Sequence, residues 1–209
     1  VGPSTISAYS INSNTGVLTP IGGSPFVAPT GSYSISIDQT AHVLYATDTL
    51  VNSLSPLKIN TPGGALSAAS GQYFIGGTPL SVAVDPLGRF VYTANEGSDD
   101  LSAFTIGAGS VLTPAVGSPF LTGKLPQFVA INSTGAHLYS ANAGDNTVSA
   151  FSIDATSGAL SSIAGGPIAV SGQGPAKLAL HPGGRFIYVG YRSTADLTVF
   201  AIVTLRERV

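Results

Sequence analysis

Short apolar runs recur along this chain at a fixed step. Ser34-Ile35-Ser36-Ile37-Asp38 leads to Leu44-Tyr45, and the pair returns as Ser81-Val82-Ala83-Val84-Asp85 with Val91-Tyr92. It returns again as Phe128-Val129-Ala130-Ile131-Asn132 with Leu138-Tyr139, then as Lys177-Leu178-Ala179-Leu180-His181 with Ile187-Tyr188. The tyrosines stand at 45, 92, 139 and 188, intervals of 47, 47 and 49. A further segment alternates more strictly and occurs five times, at 7–11, 55–59, 102–106, 149–153 and 198–202; Ser102-Ala103-Phe104-Thr105-Ile106 is typical. Val17-Leu18-Thr19-Pro20 running to Gly23-Ser24-Pro25-Phe26 recurs as Val111-Leu112-Thr113-Pro114 running to Gly117-Ser118-Pro119-Phe120, and more loosely near Leu66 and Leu160.

Each segment is short, rich in β-branched or aromatic residues and bounded by Gly, Pro, Asn or Asp, the signature of a strand between turns. Within one unit the order is a (Ser81–Asp85), b (Phe90–Asn95), c (Ser102–Ile106) and d (Leu112–Phe120). Strand a is apolar on both faces and suits an inner position between neighbouring sheets, whereas c and d alternate and suit outer ones. Asp85-Pro86-Leu87-Gly88-Arg89 reads as a tight a–b turn: Asp bonds its own backbone, Pro presets φ and Gly takes the left-handed position. Four-stranded sheets recurring with one period predict an all-β fold, a β-propeller of four-stranded antiparallel blades, about four to five in this chain. A sandwich would lack the repetition. The blades are expected at 1–30, 31–77, 78–124, 125–173 and 174–203, in the strand order cd, abcd, abcd, abcd, abc.

At these residues the chain resembles the lactonase-type β-propellers, the group containing 6-phosphogluconolactonase-like proteins and YVTN repeat proteins. The likeness is carried by Asp85 to Asn95, by Leu101-Ser102-Ala103-Phe104, by the Thr156-Ser157-Gly158-Ala159-Leu160 turn and by the Gly-Ser-Pro-Phe elements. It implies seven blades, which at this period need roughly 330 residues. Three arrangements follow: a portion of a longer chain, a smaller ring with an unusual seam, or an open arc pairing its edges with another copy. The resemblance also implies hydrolysis of a sugar lactone.

Composition narrows the partners. Charged residues make up 9% of the chain, about a third of the globular norm, and the net charge is −2. Three Lys and five Arg spread along 209 residues build no basic patch, so nucleic acid and anionic membrane are not expected partners. No apolar run is long enough for a transmembrane helix. There is no Cys, which excludes disulfides and thiolate metal sites. The chain opens on Val rather than Met, so a removed secretion signal is one expectation; with a Ser/Thr/Asn/Gly-rich, Lys-poor surface it points to an extracellular or cell-surface location, the periplasm being an alternative.

Candidate chemistry has to be separated from the repeat. His42, Arg89, His137 and Arg185 read as one column after the a–b turn, and His181 as a turn variant of Asp38, Asp85 and Asn132, so all are expected to be solvent-facing scaffold. GxSxG does not occur, and the Gly pairs precede no helix, so neither a nucleophile elbow nor a phosphate loop is expected. More informative is the face shared by the b–c and d–a connections, where propellers usually bind ligands. It offers a candidate ligand-binding set of Asn95, Asp99, Asp100, Asn142, Asp145, Asn146 and Asp196, and the catalytic candidates Glu96, Arg192 and Lys124, with Gln127 and Lys177 assigned to neighbouring loops. A lactone hydrolase needs an acid/base carboxylate and cations for an oxyanion, which the catalytic three supply. Glu96, Asp99, Asp100 and Asp145 form an alternative hard-oxygen set for Ca²⁺; no other metal and no cofactor is expected. Sparse ionisable groups and near-complete repetition favour a non-catalytic scaffold or binding module, its partners itself, other proteins or glycans. The alternatives are a lactonase-like hydrolase and a structural protomer assembling through its blade edges.

Overall fold

A computed structural model describes residues 4–69 and 71–202, and nearly all its regular structure is antiparallel sheet. The first half-blade comprises β1 (Thr5–Ile6), β2 (Tyr9–Ile11), β3 (Leu18–Pro20) and β4 (Phe26–Val27), with β1 on β4 and β2 on β3. The second blade runs from inner strand to rim as β5 (Ser32–Asp38), β6 (Val43–Asp48), β7 (Ser53–Asn60), then β8 (Ala65–Ala68) and β9 (Tyr73–Phe74). The third follows as β10 (Pro79–Val84), β11 (Phe90–Asn95), β12 (Asp100–Ile106), β13 (Leu112–Pro114) and β14 (Phe120–Leu121). The fourth is β15 (Pro126–Ile131), β16 (His137–Asn142), β17 (Thr147–Ile153), β18 (Leu160–Ser162) and β19 (Ile168–Ala169); the fifth, within the described residues, is β20 (Pro175–Leu180), β21 (Phe186–Tyr191) and β22 (Leu197–Ala201).

Strand d departs from the sequence expectation. It is split, and both pieces pair with strand c: Phe104 faces Pro114 and Leu101 faces Phe120. Between them the Gly-Ser-Pro turn leaves the ladder, and the Ser118 hydroxyl accepts the Ala103 N–H at 2.9 Å in place of a carbonyl. Ser24 does the same for Ala8 at 3.0 Å.

The inner strands pack in series, β5 on β10, β10 on β15 and β15 on β20. Their inner edges would leave unpaired N–H groups, a costly arrangement away from water. Serines on the preceding blade accept them: Ser34 from Val82, Ser36 from Val84 and Ser81 from Val129, at 3.2–3.3 Å. The core lies between blades rather than within one. Tyr92, Leu101 and Phe90 of the third blade meet Leu138, Phe151 and Leu160 of the fourth, and comparable clusters fill the other boundaries. Among the described residues no helix is long and apolar enough to cross a membrane.

Candidate functional site

The b–c turn of each blade lies against the d–a loop that precedes that blade. The N–H groups of Thr49, Glu96, Ala143 and Arg192 donate to the carbonyls of Gly31, Thr78, Leu125 and Gly174 at 2.9–3.0 Å. These loops form one face, opposite the a–b turns, at the mouth of the inner strands.

Most candidate side chains on this face hold the loops themselves. Asn95 is fully buried, accepts the Thr93 hydroxyl and donates to Asp100 Oδ1 at 2.6 Å and Ser102 Oγ at 2.9 Å. Asn142 repeats the arrangement with Ser140, Thr147 and Ser149. Asp99 and Asn146 sit in the left-handed region with Asn52, at φ 57, 55 and 52. Each side chain reaches the next blade: Asn52 accepts Thr78 N–H, Asp99 accepts Leu125 N–H and Asn146 accepts Gly174 N–H, all at 2.8 Å. Asp145 accepts the backbone N–H of Lys124 at 2.8 Å, as Ser98 does for Gly77 at 3.0 Å. The proposed calcium ligands are thus engaged separately, and no group of three or more His, Cys, Asp or Glu is arranged for a metal among the described residues. Lys124, Arg192 and Asp196 project from exposed loop positions, with no side-chain hydrogen bond among the described residues.

What varies is the column Thr49, Glu96, Ala143, Arg192, whose backbone role is constant and whose side chains are not. Glu96 alone in it carries a carboxylate. It is half-buried, and its Oε1 accepts a hydrogen bond from Nε2 of Gln127, which is only 6% exposed. Gln127 is not in a loop as expected: it lies at the mouth end of β15, in the irregularity between Pro126 and Phe128. Lys177 likewise belongs to a strand, β20, and its Nζ sits 4.8 Å from the centroid of the Phe128 ring. Both residues break inner-strand columns, Tyr33/Leu80/Gln127/Ala176 and Ser34/Ser81/Phe128/Lys177, and those breaks were the signal that could have revealed them.

On the opposite face the structure corrects one alignment. His137 is the first residue of β16, matching Phe90 in β11, and Ala136 holds the Arg89 position. Arg89 is structural, though less solvent-facing than expected: it forks onto buried Asp85 at 2.7 and 3.1 Å and reaches the Gly135 and Ala155 carbonyls of the fourth blade. That contact raises the already high guanidinium pKa. It is the one ion pair among the described residues. A cavity of about 380 Å³ is an apolar space between the fourth and fifth blades lined by Tyr139, Val148, Ile187 and Phe200, and none of the mouth residues borders it.

A family model described as a seven-bladed β-propeller lactonase matches residues 3–117. No curated protein matches the chain. Among solved structures, one from Bacteroides uniformis described as a candidate 6-phosphogluconolactonase superposes with a TM-score of 0.80 at 17% identity, covering 94% of this chain and 60% of that one. A Desulfotomaculum acetoxidans protein of unknown function gives 0.77 at 19% identity over 94% and 61%. A periplasmic gluconolactonase from Pseudomonas aeruginosa gives 0.73 at 18% identity over 94% and 59%. The chain thus spans about 60% of the length of these structures.

Proposed function

Because this chain belongs to the seven-bladed β-propeller lactonase family, we propose that it acts as a hydrolase of a sugar lactone, outside the cytoplasm, at the mouth of its inner strands. The observation that carries this reading is the Glu96–Gln127 contact across the boundary of the third and fourth blades. Asp99 and Asp145 accept backbone N–H groups of the adjoining loops and Asp100 accepts Asn95 within its own turn, whereas Glu96 accepts from a side chain of the next blade and its second oxygen takes no hydrogen bond among the described residues.

In the reaction, a water placed on that free oxygen attacks the lactone carbonyl carbon and gives its proton to Glu96. The tetrahedral oxyanion then collapses, the ring C–O bond breaks, and the leaving alkoxide takes a proton back, giving the open hydroxy acid. Lys124 and Arg192 add positive charge on the rim where negative charge develops. The scaffold reading rests on the scarcity of ionisable groups and on near-complete repetition among the blades. One positioned carboxylate is enough for this chemistry, and family membership favours the hydrolase.

The test is acid release from glucono-1,5-lactone, corrected for spontaneous opening. Wild-type protein should exceed the buffer rate, and Glu96→Gln should lose about 100-fold or more in kcat with an unchanged circular dichroism spectrum. Folded wild-type protein that releases no acid above the buffer rate would return the scaffold reading to first place.

A further inference from the structure

We propose that Lys177, seated over the Phe128 ring, is an anion-binding group that takes the carboxylate of a sugar acid, the hydrolysis product; the choice of ligand rests on the lactone reading above. Along the inner strands, Ser34 and Ser81 use their hydroxyls to accept an N–H of the next blade. In the same column the fourth and fifth blades carry Phe128 and Lys177, neither of which can accept that bond. The serine ladder therefore stops where an aromatic ring and a cation begin.

Phe128 is half-buried against the cluster formed by Tyr139, Leu178 and Val189, so its ring is fixed. Lys177 is exposed, and its ammonium lies 4.8 Å from the ring centroid. A ring face attracts the ammonium electrostatically but accepts few of its N–H donors, which stay available to an anion. Among the described residues no carboxylate is within ion-pair distance of Lys177. The adjoining residue, Gln127, holds Glu96. One stretch of β15 thus contacts a carboxylate on the third blade and an ammonium on the fifth. The hydrolysis product of the lactone reading supplies the carboxylate that this cation would take.

Calorimetric titration with gluconate and, separately, with inorganic phosphate tests the assignment without turnover. Wild-type protein should bind gluconate, Lys177→Met should weaken binding about tenfold or more, and Lys177→Arg should keep most of it. Phe128→Leu should weaken binding by a smaller factor, since the charge remains but its seat is lost. Phosphate binding as tight as gluconate, and equally dependent on Lys177, would mark the anion as a phosphate and overturn the carboxylate assignment. If Lys177→Met, with an unchanged melting temperature, binds gluconate like wild type, or if wild type does not bind it, the site is refuted even where Glu96-dependent lactone hydrolysis persists. Conversely, Lys177-dependent gluconate binding in a protein that opens no lactone would sink the hydrolase reading and leave the anion site standing.

Discussion

Two aspartates one repeat apart show how much a single neighbour matters. Asp85 is 2% exposed, and both its oxygens take N–H donors from Arg89. Asp38 is 1% exposed; its Oδ1 caps Thr40 and Ala41, but its Oδ2 is buried without a partner, because exposed His42, at φ 55, stands where Arg89 does. Replacing Arg89 with Met should put Asp85 in a like position and cost about 3–5 kcal/mol, read as a lower urea midpoint with unchanged m-value. The tyrosine column gives a second expectation. Burial pushes the Tyr45 hydroxyl, which has no hydrogen-bond partner among the described residues, up to about 12, and burial raises Tyr92 further. The folded state keeps these protons longer than the unfolded chain, so their contribution is complete below about pH 10 and is lost as pH rises toward about 12. Urea midpoints should fall across that window, with tyrosinate absorbance rising together with unfolding. A flat profile would contradict burial of both hydroxyls.

Connections between elements, more than strands, carry what the sequence left hidden. The a, b and c segments could be read directly, because apolar pattern and turn residues recur together every 47 residues or so. The split of strand d could not, since the Ser118 bond to Ala103 depends on how far the turn leaves the ladder. In the sequence Asp99 and Asn146 read as candidate ligand-binding residues. Their function as clamps depends on which N–H the next blade brings within reach, a tertiary fact with no trace in composition. Glu96 was legible as an unrepeated acid, but its partner was concealed in the irregular start of β15. The clamp has a direct test. Asp99→Asn keeps the acceptor and tolerates φ 57, so stability should change by less than about 0.5 kcal/mol. Asp99→Ala loses the bond to Leu125 and strains the left-handed turn, and should cost about 1–3 kcal/mol, with faster hydrogen exchange at the Leu125 amide. Equal effects from the two variants would mean that the carboxylate does not hold the loop.

Across the whole molecule, stability should be set boundary by boundary, since each blade touches only its neighbours and the apolar clusters sit at the boundaries between them. The boundary of the third and fourth blades is the most heavily tied. It joins the cluster around Leu101 and Leu138 to the Arg89 fork, the Asp99 clamp and the bond from the buried Tyr92 hydroxyl to the Gly158 carbonyl at 2.9 Å. Gly158 permits that close approach: it has φ 72, and a Cβ there would meet the Phe90 ring at 2.5 Å. Native-state hydrogen exchange should therefore be slowest for the amides of β11 and β16. Tyr92→Phe, which removes only the bond to Gly158, should speed exchange in β11 and β17 and leave β5 to β7 unchanged. If all blades instead exchange with one free energy, and Tyr92→Phe lowers it everywhere alike, the blades unfold as a single cooperative unit and the boundary-by-boundary account fails.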